Sequence, residues 1–353
     1  MEIGWRQCLG WFSGRRAAPV LGVDISPAAV RVIELSCAGE RLRVERYARR
    51  PMPPGAIRDG NIIHAAAVSQ MLAEALDECG TPVRRAALAL PSGLVIRKIL
   101  SVSDDLSDEE LESQVDADAE GSLPFSLDEL GLDFAVIGPC ANEPGKMDVM
   151  LVAARREKIN ERLALAEAAG LDAVAVDVES QALLDAVAFH DWNAADGRTV
   201  SAQRSAEEAA YALVQLGQDS SQFSVIREGQ FVFERELSIG LHKLEQEISR
   251  RPGQAAAFAE AFHDVVCQEI RRAIQLHASA ADHAGTSRLL LAGPTDRLPM
   301  LPAVIADRLS LTVQLANPFG TMTVSAAVDQ ALLQADASCC LVACGLAMVR
   351  APS

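Results

Sequence analysis

The chain has 353 residues, enough for two domains, because single hydrophobic cores stop growing at about 250–300 residues. Half of the residues are hydrophobic and 23% are charged, the balance of a folded protein with a wetted surface. A net charge of −16 argues against a nucleic-acid binder, which needs a basic face for phosphates.

The first 18 residues carry Trp5, Leu9, Trp11 and Phe12 together with Arg6, Arg15 and Arg16. Two readings stand for this lead: peripheral contact with a membrane surface through residues 5–16, or a loosely docked terminus. Met1–Gly14 lacks the basic and apolar regions of a secretory signal, and no apolar run reaches the roughly 18–20 residues that span a bilayer. A cytoplasmic chain is expected.

Order begins at Val20. Val20–Asp24 reads as a strand, Ile25-Ser26-Pro27-Ala28 as a turn, and the segments from Val30 to Leu35 and from Arg41 to Tyr47 as two more strands. A loop at Pro51–Gly55 leads to a helix from Ala65 to Cys79, closed by Gly80. Ala86–Leu90 and Leu94–Val102 are strand-like around Pro91-Ser92-Gly93, which is a turn and not the Gly-x-Ser-x-Gly of a nucleophile elbow. Ser107 with Glu110 has capping-box spacing and starts a helix. Nine acids and no base lie between Asp104 and Glu120, a solvated helix face or a lure for a basic partner.

Leu132–Ile137 and Met147–Ala154 read as strands, Arg156–Ala169 as a helix stopped by Gly170, and Leu171–Val178 as a strand entering a helix at Glu179. The polar stretch Asp191–Glu208 is the expected domain boundary. Beyond it, Ala212–Leu216, Gln222–Arg227 and Phe231–Leu237 repeat the opening strand–turn–strand–strand unit, which suggests a duplicated α/β domain. Phe258, Phe262, Val266, Ile270 and Ile274 mark a long helix. Leu289–Ala292 is a buried strand meeting Gly293, Leu301–Leu309 a helix, and Cys339–Met348 a final apolar helix. The eight cysteines form no CxxC pair and the six histidines no metal or triad pattern, so the thiols are read as reduced and mostly buried.

Three segments belong together: Leu21-Gly22-Val23-Asp24-Ile25-Ser26 with Arg31, then Val214-Gln215-Leu216-Gly217-Gln218-Asp219-Ser220-Ser221, then Leu290-Leu291-Ala292-Gly293-Pro294-Thr295. Two small-residue turns can wrap a polyphosphate with backbone N–H groups, and a strand–Gly element can approach an adenosine closely. Their order resembles the actin, hexokinase and heat-shock-70 superfamily. Within it, the opening segment, Leu123-Pro124-Phe125 with Asp128-Glu129, Asp148–Arg155, Val176-Asp177-Val178-Glu179 and Ala316-Asn317-Pro318-Phe319 resemble the type IV pilus assembly protein PilM family, from about Val20 to Arg350.

That resemblance implies an actin-like (ribonuclease H-like) duplicated α/β fold with an inserted module of the type found in the division protein FtsA. It divides the chain into the lead 1–18, a first actin-like domain (19–85, 155–192 and a C-terminal helix 326–350), the module 86–154, and a second domain 193–325 with a reduced subdomain at 240–285. It implies ATP and Mg²⁺ as cofactors, held by Asp24, Ser26, Arg31, Gln215, Gly217, Ser220 and Gly293 across one cleft. Asp24 would face the metal through water, and Asp177 would stand at the attacking water. It implies as partners the cytoplasmic tail of a PilN-like inner-membrane protein, captured beside the module, and the pilus platform and motor. The chain would thus lie at the inner membrane through its partners.

Two positions depart from the pattern. Gln215 stands where an acid is usual, and Pro294 replaces a second glycine, removing an N–H where the ligand should approach. Both changes weaken a Mg·ATP site, so a binding scaffold without meaningful turnover is expected. The alternatives are a nucleotide-dependent switch of the same machine and a cytoplasmic component like that of the type II secretion protein GspL.

Overall fold

The computed structural model describes residues 18–38, 41–140, 143–188, 210–281 and 286–349. The aromatic lead and the polar Asp191–Glu208 stretch lie outside the described residues. The chain divides into two compact units, one formed by 1–35, 48–182 and 346–353, the other by 36–47 and 183–345.

The chain opens with β1 (Leu21–Ile25), β2 (Ala29–Ala38) and β3 (Arg41–Pro51), of which residues 36–47 are counted with the second unit and the rest with the first. A short pair, β4 (Ile57–Arg58) and β5 (Asn61–Ile62), is closed by Asp59 and Gly60, both at positive φ as this tight turn demands. Helix α1 (Ala65–Cys79) buries Val68, Leu72, Ala75 and Cys79, one stripe at helical spacing, and ends in left-handed Gly80, whose N–H caps Leu76. Strand β6 (Arg85–Leu90) follows, and β1 pairs with β2 antiparallel and with β6 parallel.

The chain then leaves that sheet to build β7 (Val95–Ser103), α2 (Asp108–Ser122), β8 (Leu130–Pro139) and β9 (Lys146–Arg155). These strands form their own antiparallel sheet in the order β7-β9-β8. Ser107 and Glu110 make the full capping box, and α2 lays Leu111, Val115 and Ala119 on Leu100, Val102, Val149 and Leu151. Helix α3 (Arg156–Ala168) returns the chain, and β10 (Asp172–Val178) pairs parallel with β6 before α4 (Glu179–Val187). Leu165 and Ala166 of α3 join the α1 stripe in a core over Leu21, Val23 and Leu88.

The second unit contains β11 (Tyr211–Gln215), β12 (Ser221–Arg227), β13 (Gln230–Leu237), α5 (Leu241–Arg250), α6 (Ala255–Ala281), β14 (Arg288–Ala292), α7 (Leu301–Leu309), β15 (Thr312–Leu315), β16 (Thr323–Val324), α8 (Gln330–Asp336) and α9 (Leu341–Leu346). Val266, Ile270 and Ala273 of α6 and Leu301 and Ile305 of α7 pack on Ala212, Val214, Phe223 and Leu289. The expected stripe on α6 is present, with Phe258, Phe262 and Ile274 partly buried against this core. The segment 240–281 is filled by α5 and α6.

The two main sheets run β10-β6-β1-β2-β3-β16 and β13-β12-β11-β14-β15. Each therefore holds three chain-consecutive strands as neighbours. Its first strand is flanked by a later parallel strand, which is followed by another parallel strand. The order 3-2-1-4-5 occurs twice, the duplication that the repeated strand unit predicts.

One element differs from expectation. The final apolar segment is not one helix over 326–350 or Cys339–Met348. Asp329 caps α8 by accepting the N–H groups of Ala331 and Leu332, a 3₁₀ turn occupies Ala337–Cys339, and α9 begins only at Leu341. The break has a cause in buried polar bonds: Asp336 accepts from the Tyr47 hydroxyl at 2.6 Å, and Ser338 is turned toward Gly293.

Candidate functional site

In the first unit the β1–β2 hairpin brings Asp24, Ser26 and Arg31 together. Asp24 and Arg31 are register partners, and Arg31 Nη1 lies 3.5 Å from Asp24 Oδ2 with both residues buried. Ser26 closes the turn itself. Its N–H and its hydroxyl donate to the Ala29 carbonyl, and its Oγ accepts the Ala29 N–H.

A second arginine, absent from the sequence reading, completes this centre. Arg162 of α3 is almost wholly buried, donating from Nε to the Ala89 carbonyl at 3.3 Å and from Nη2 to the Gly60 carbonyl at 3.0 Å. Burial pulls its pKa down, while Glu179, Glu161 and Asp24 push it back up. Glu179, the first residue of α4, retains some surface but is enclosed closely enough that desolvation lifts its carboxyl to about 7. Asp24 adds to the rise and Arg162 opposes it. Two acids and two guanidinium groups thus balance one another inside this unit.

In the second unit Gln215, Gly217, Ser220 and Gly293 meet because β11 and β14 are parallel neighbours, with Gln215 opposite Ala292. The turn after β11 folds tightly on itself: a Cβ on Gly217 would lie 2.1 Å from the Ser220 carbonyl oxygen. Ser221 accepts the Gly217 N–H and donates to the Ile239 carbonyl. Gly293 sits at φ +102°, and a Cβ there would lie 2.3 Å from the Leu216 oxygen. Its N–H goes to the Ser338 carbonyl and its own carbonyl accepts the Ser338 hydroxyl, which also lies 3.2 Å from Thr295 Oγ1.

These residues are a poor match to Mg²⁺ held with a nucleotide. The ion asks for carboxylate or phosphate oxygens in near-octahedral array. Asp24 already faces a guanidinium, and Gln215 brings no charge. Among the described residues no group of three or more His, Cys, Asp or Glu side chains is placed to hold a metal. The Gly293 backbone that would meet an adenosine is bonded within the chain.

Asp177 has a different address. It lies on β10, separated from β1 by β6, and accepts the Val178 N–H on its own Oδ1. It lines a pocket of the first unit together with Leu90, Val95, Asp133, Val152 and Ile159. Asp133 likewise accepts the next backbone N–H, that of Phe134. The pocket lies where β8 ends one sheet and β10 ends the other. Side chains alternate along β9, so Val149 and Leu151 face α2 while Val152 and Ala154 face the pocket. The acidic helix α2 therefore covers the opposite face of this sheet and does not line the pocket.

Sequence signals for the missed residues were thin. Glu179 stood at the end of a noted motif, but Arg162 and Ser338 had none.

A family model described as type IV pilus assembly protein PilM matches residues 22–263 and 255–351. The solved PilM-PilN type IV pilus biogenesis complex contains a chain 24% identical, with 96% of this chain and 100% of that one covered and a TM-score of 0.76. The ethanolamine utilization protein EutJ from Carboxydothermus hydrogenoformans is 12% identical, with 95% and 90% covered and a TM-score of 0.50.

Proposed function

This chain belongs to the type IV pilus assembly protein PilM family, and we propose that it is an actin-like scaffold that holds the cytoplasmic tail of a PilN-like inner-membrane protein. In that role it links the inner-membrane platform of the pilus to the cytoplasmic motor, and it sits at the membrane through its partners. No helix of the described residues is long and apolar enough to cross a membrane. A task that rests on protein contacts suits such a chain.

The observation that carries this reading is the family match along almost the whole chain, joined to an apolar pocket between the three-stranded sheet and the β6–β10 edge. The solved neighbour is a complex with PilN, which supports a PilN-like protein as the partner. The reading gives the nucleotide a secondary part. The Asp24 and Gly293 loops are satisfied by their own bonds, so the scaffold does not need ATP to be folded and competent.

The test is fluorescence anisotropy with a labelled synthetic peptide copying the cytoplasmic tail of a PilN-like inner-membrane protein from the same organism. Saturable binding without added nucleotide is expected. Failure of the folded full-length protein to bind it, with or without Mg·ATP, overturns the reading.

A further inference from the structure

We propose that residues 5–16 are a second attachment of this chain, a reversible contact with an anionic lipid surface. The inference goes beyond the scaffold reading and does not rest on it, because lipid and tail are offered separately in the test.

Three observations carry it. First, the stretch joins apolar side chains to cations. Trp5, Leu9, Trp11 and Phe12 lie within eight positions, and Arg6, Arg15 and Arg16 stand among and just after them. Two of the chain's three tryptophans are here, although aromatic residues make up only 4% of the whole. Tryptophan and phenylalanine partition into the boundary between headgroups and acyl chains, and arginine is drawn to anionic lipid.

Second, charge sets this stretch apart. Glu2 is the one acid among residues 1–18, beside three arginines, in a chain of net charge −16. An anionic surface repels the acidic body and attracts the lead, so the contact is confined to the lead.

Third, the lead is placed to reach. The described chain begins at Ala18 and Pro19, both exposed, and enters the core of the first unit at Val20 and Leu21. The aromatic residues thus precede β1 and take no part in it. Extended, the 17 residues before Ala18 can span up to roughly 55–60 Å, against about 17 Å for the five of β1. Their apolar residues are too few to cross a bilayer, so the lead lies on the surface. One such anchor holds weakly. On a chain already tethered by a partner tail the contact becomes effectively intramolecular, and a weak lipid affinity then suffices.

The experiment uses the full chain carrying Trp192→Phe, which leaves Trp5 and Trp11 as its tryptophans. Vesicles of about 70% phosphatidylethanolamine and about 30% phosphatidylglycerol are compared with pure phosphatidylcholine. On the anionic vesicles the protein is expected to float with the lipid and its emission to shift to the blue. Binding to phosphatidylcholine is expected to be at least about tenfold weaker. Arg6→Gln with Arg15→Gln and Arg16→Gln weakens flotation on anionic vesicles by about tenfold or more, and so does Trp5→Ser with Trp11→Ser and Phe12→Ser. Affinity for the tail peptide stays within about twofold in both variants. Circular dichroism and thermal unfolding confirm that they are folded. The proposal is overturned if the chain does not bind anionic vesicles, binds both kinds within about threefold, or keeps its lipid affinity within about threefold in either variant. Emission that is already blue-shifted without lipid and does not move when lipid is added overturns it too, since the lead is then buried on its own chain. The scaffold reading survives each of these outcomes, and a failure of the tail peptide to bind leaves the lipid contact standing.

Discussion

Gly293 donates its N–H to the Ser338 carbonyl at 2.8 Å and accepts the Ser338 hydroxyl on its own carbonyl at 2.7 Å. A single residue from the C-terminal segment thereby occupies both backbone groups of the loop that the family resemblance assigns to adenosine. Pro294 follows directly and has no N–H to offer. On the β11 side Gln215 supplies an amide in place of a charge.

Weak binding of Mg·ATP is the first expectation. The double substitution Gln215→Asp with Pro294→Gly restores a charge for the metal and a backbone that can approach the ligand, so it is expected to tighten binding at least tenfold. Titration calorimetry on the two proteins measures this directly. Tight binding by the native chain, or no gain in the variant, contradicts the argument.

The second expectation concerns Arg162. Its guanidinium ties the Asp59-Gly60 turn to the end of β6 and lies in the field of Glu179. Arg162→Leu keeps much of the apolar volume but leaves the Ala89 and Gly60 carbonyls without their donor and Glu179 without its nearby opposite charge. Losing one partner of a buried charged set costs about 3 kcal/mol. Urea unfolding should show a lower midpoint with an unchanged slope. Arg162→Lys, a single point donor, should recover only part of the loss.

A third expectation rests on space. A Cβ at Gly240 would stand 2.3 to 2.5 Å from backbone atoms of Gln218 and Asp219, closer than any side-chain carbon is found. Gly240→Ala must therefore push the Gly217–Ser220 turn outward and break the bonds that Leu241 and His242 donate to Gly217 and Gln218. A loss of about 2 kcal/mol in thermal or urea unfolding is expected, the range for backbone overpacking. A neutral effect shows that the turn is free to shift.

Elements governed by neighbours in sequence were legible before the fold was known. The stripe on α1 with Gly80 after it, the Ser107–Glu110 cap, and the two strand triples all depend on spacings of a few residues. Asp24 and Arg31 were also legible, because seven positions along one hairpin place them opposite each other. Arg162 was not, since it sits between Glu161 and Leu163 in a helix rich in charge, where an arginine ordinarily faces water. Its burial depends on Gly60 and Ala89 arriving from elsewhere in the chain. Which strands end a sheet is a long-range property too, so β8 and β10 were read as strands but not as edges. The apolar C-terminal stretch read as one helix because nothing local announces that Ser338 turns back to Gly293.

The last expectation is a pH dependence set by Glu179. In the folded chain its carboxyl holds a proton up to about 7, first because it is desolvated and then because Asp24 is near, against the pull of Arg162. In the unfolded chain the same group titrates near the ordinary carboxylate value of 4.5. Between those two values the folded state binds more protons than the unfolded state, so its stability falls as the pH rises from about 4.5 to about 7. Above pH 7 the full penalty of an ionised, enclosed carboxylate is present; below 4.5 it has vanished. With allowance for the surface the group retains, the effect is on the order of 1–2 kcal/mol. Glu179→Gln keeps the shape and removes the titration, so it should stabilise the protein at pH 8 and leave it nearly unchanged at pH 5. Calorimetric Tm values for both proteins at pH 5, 6, 7 and 8 give the difference curve. A constant gap across that range would mean that Glu179 does not change its protonation on folding. A gap of the opposite sign, with the native protein the more stable from pH 5 to 8 and the difference fading only below about pH 4.5, would mean that Arg162 holds the carboxyl ionised instead.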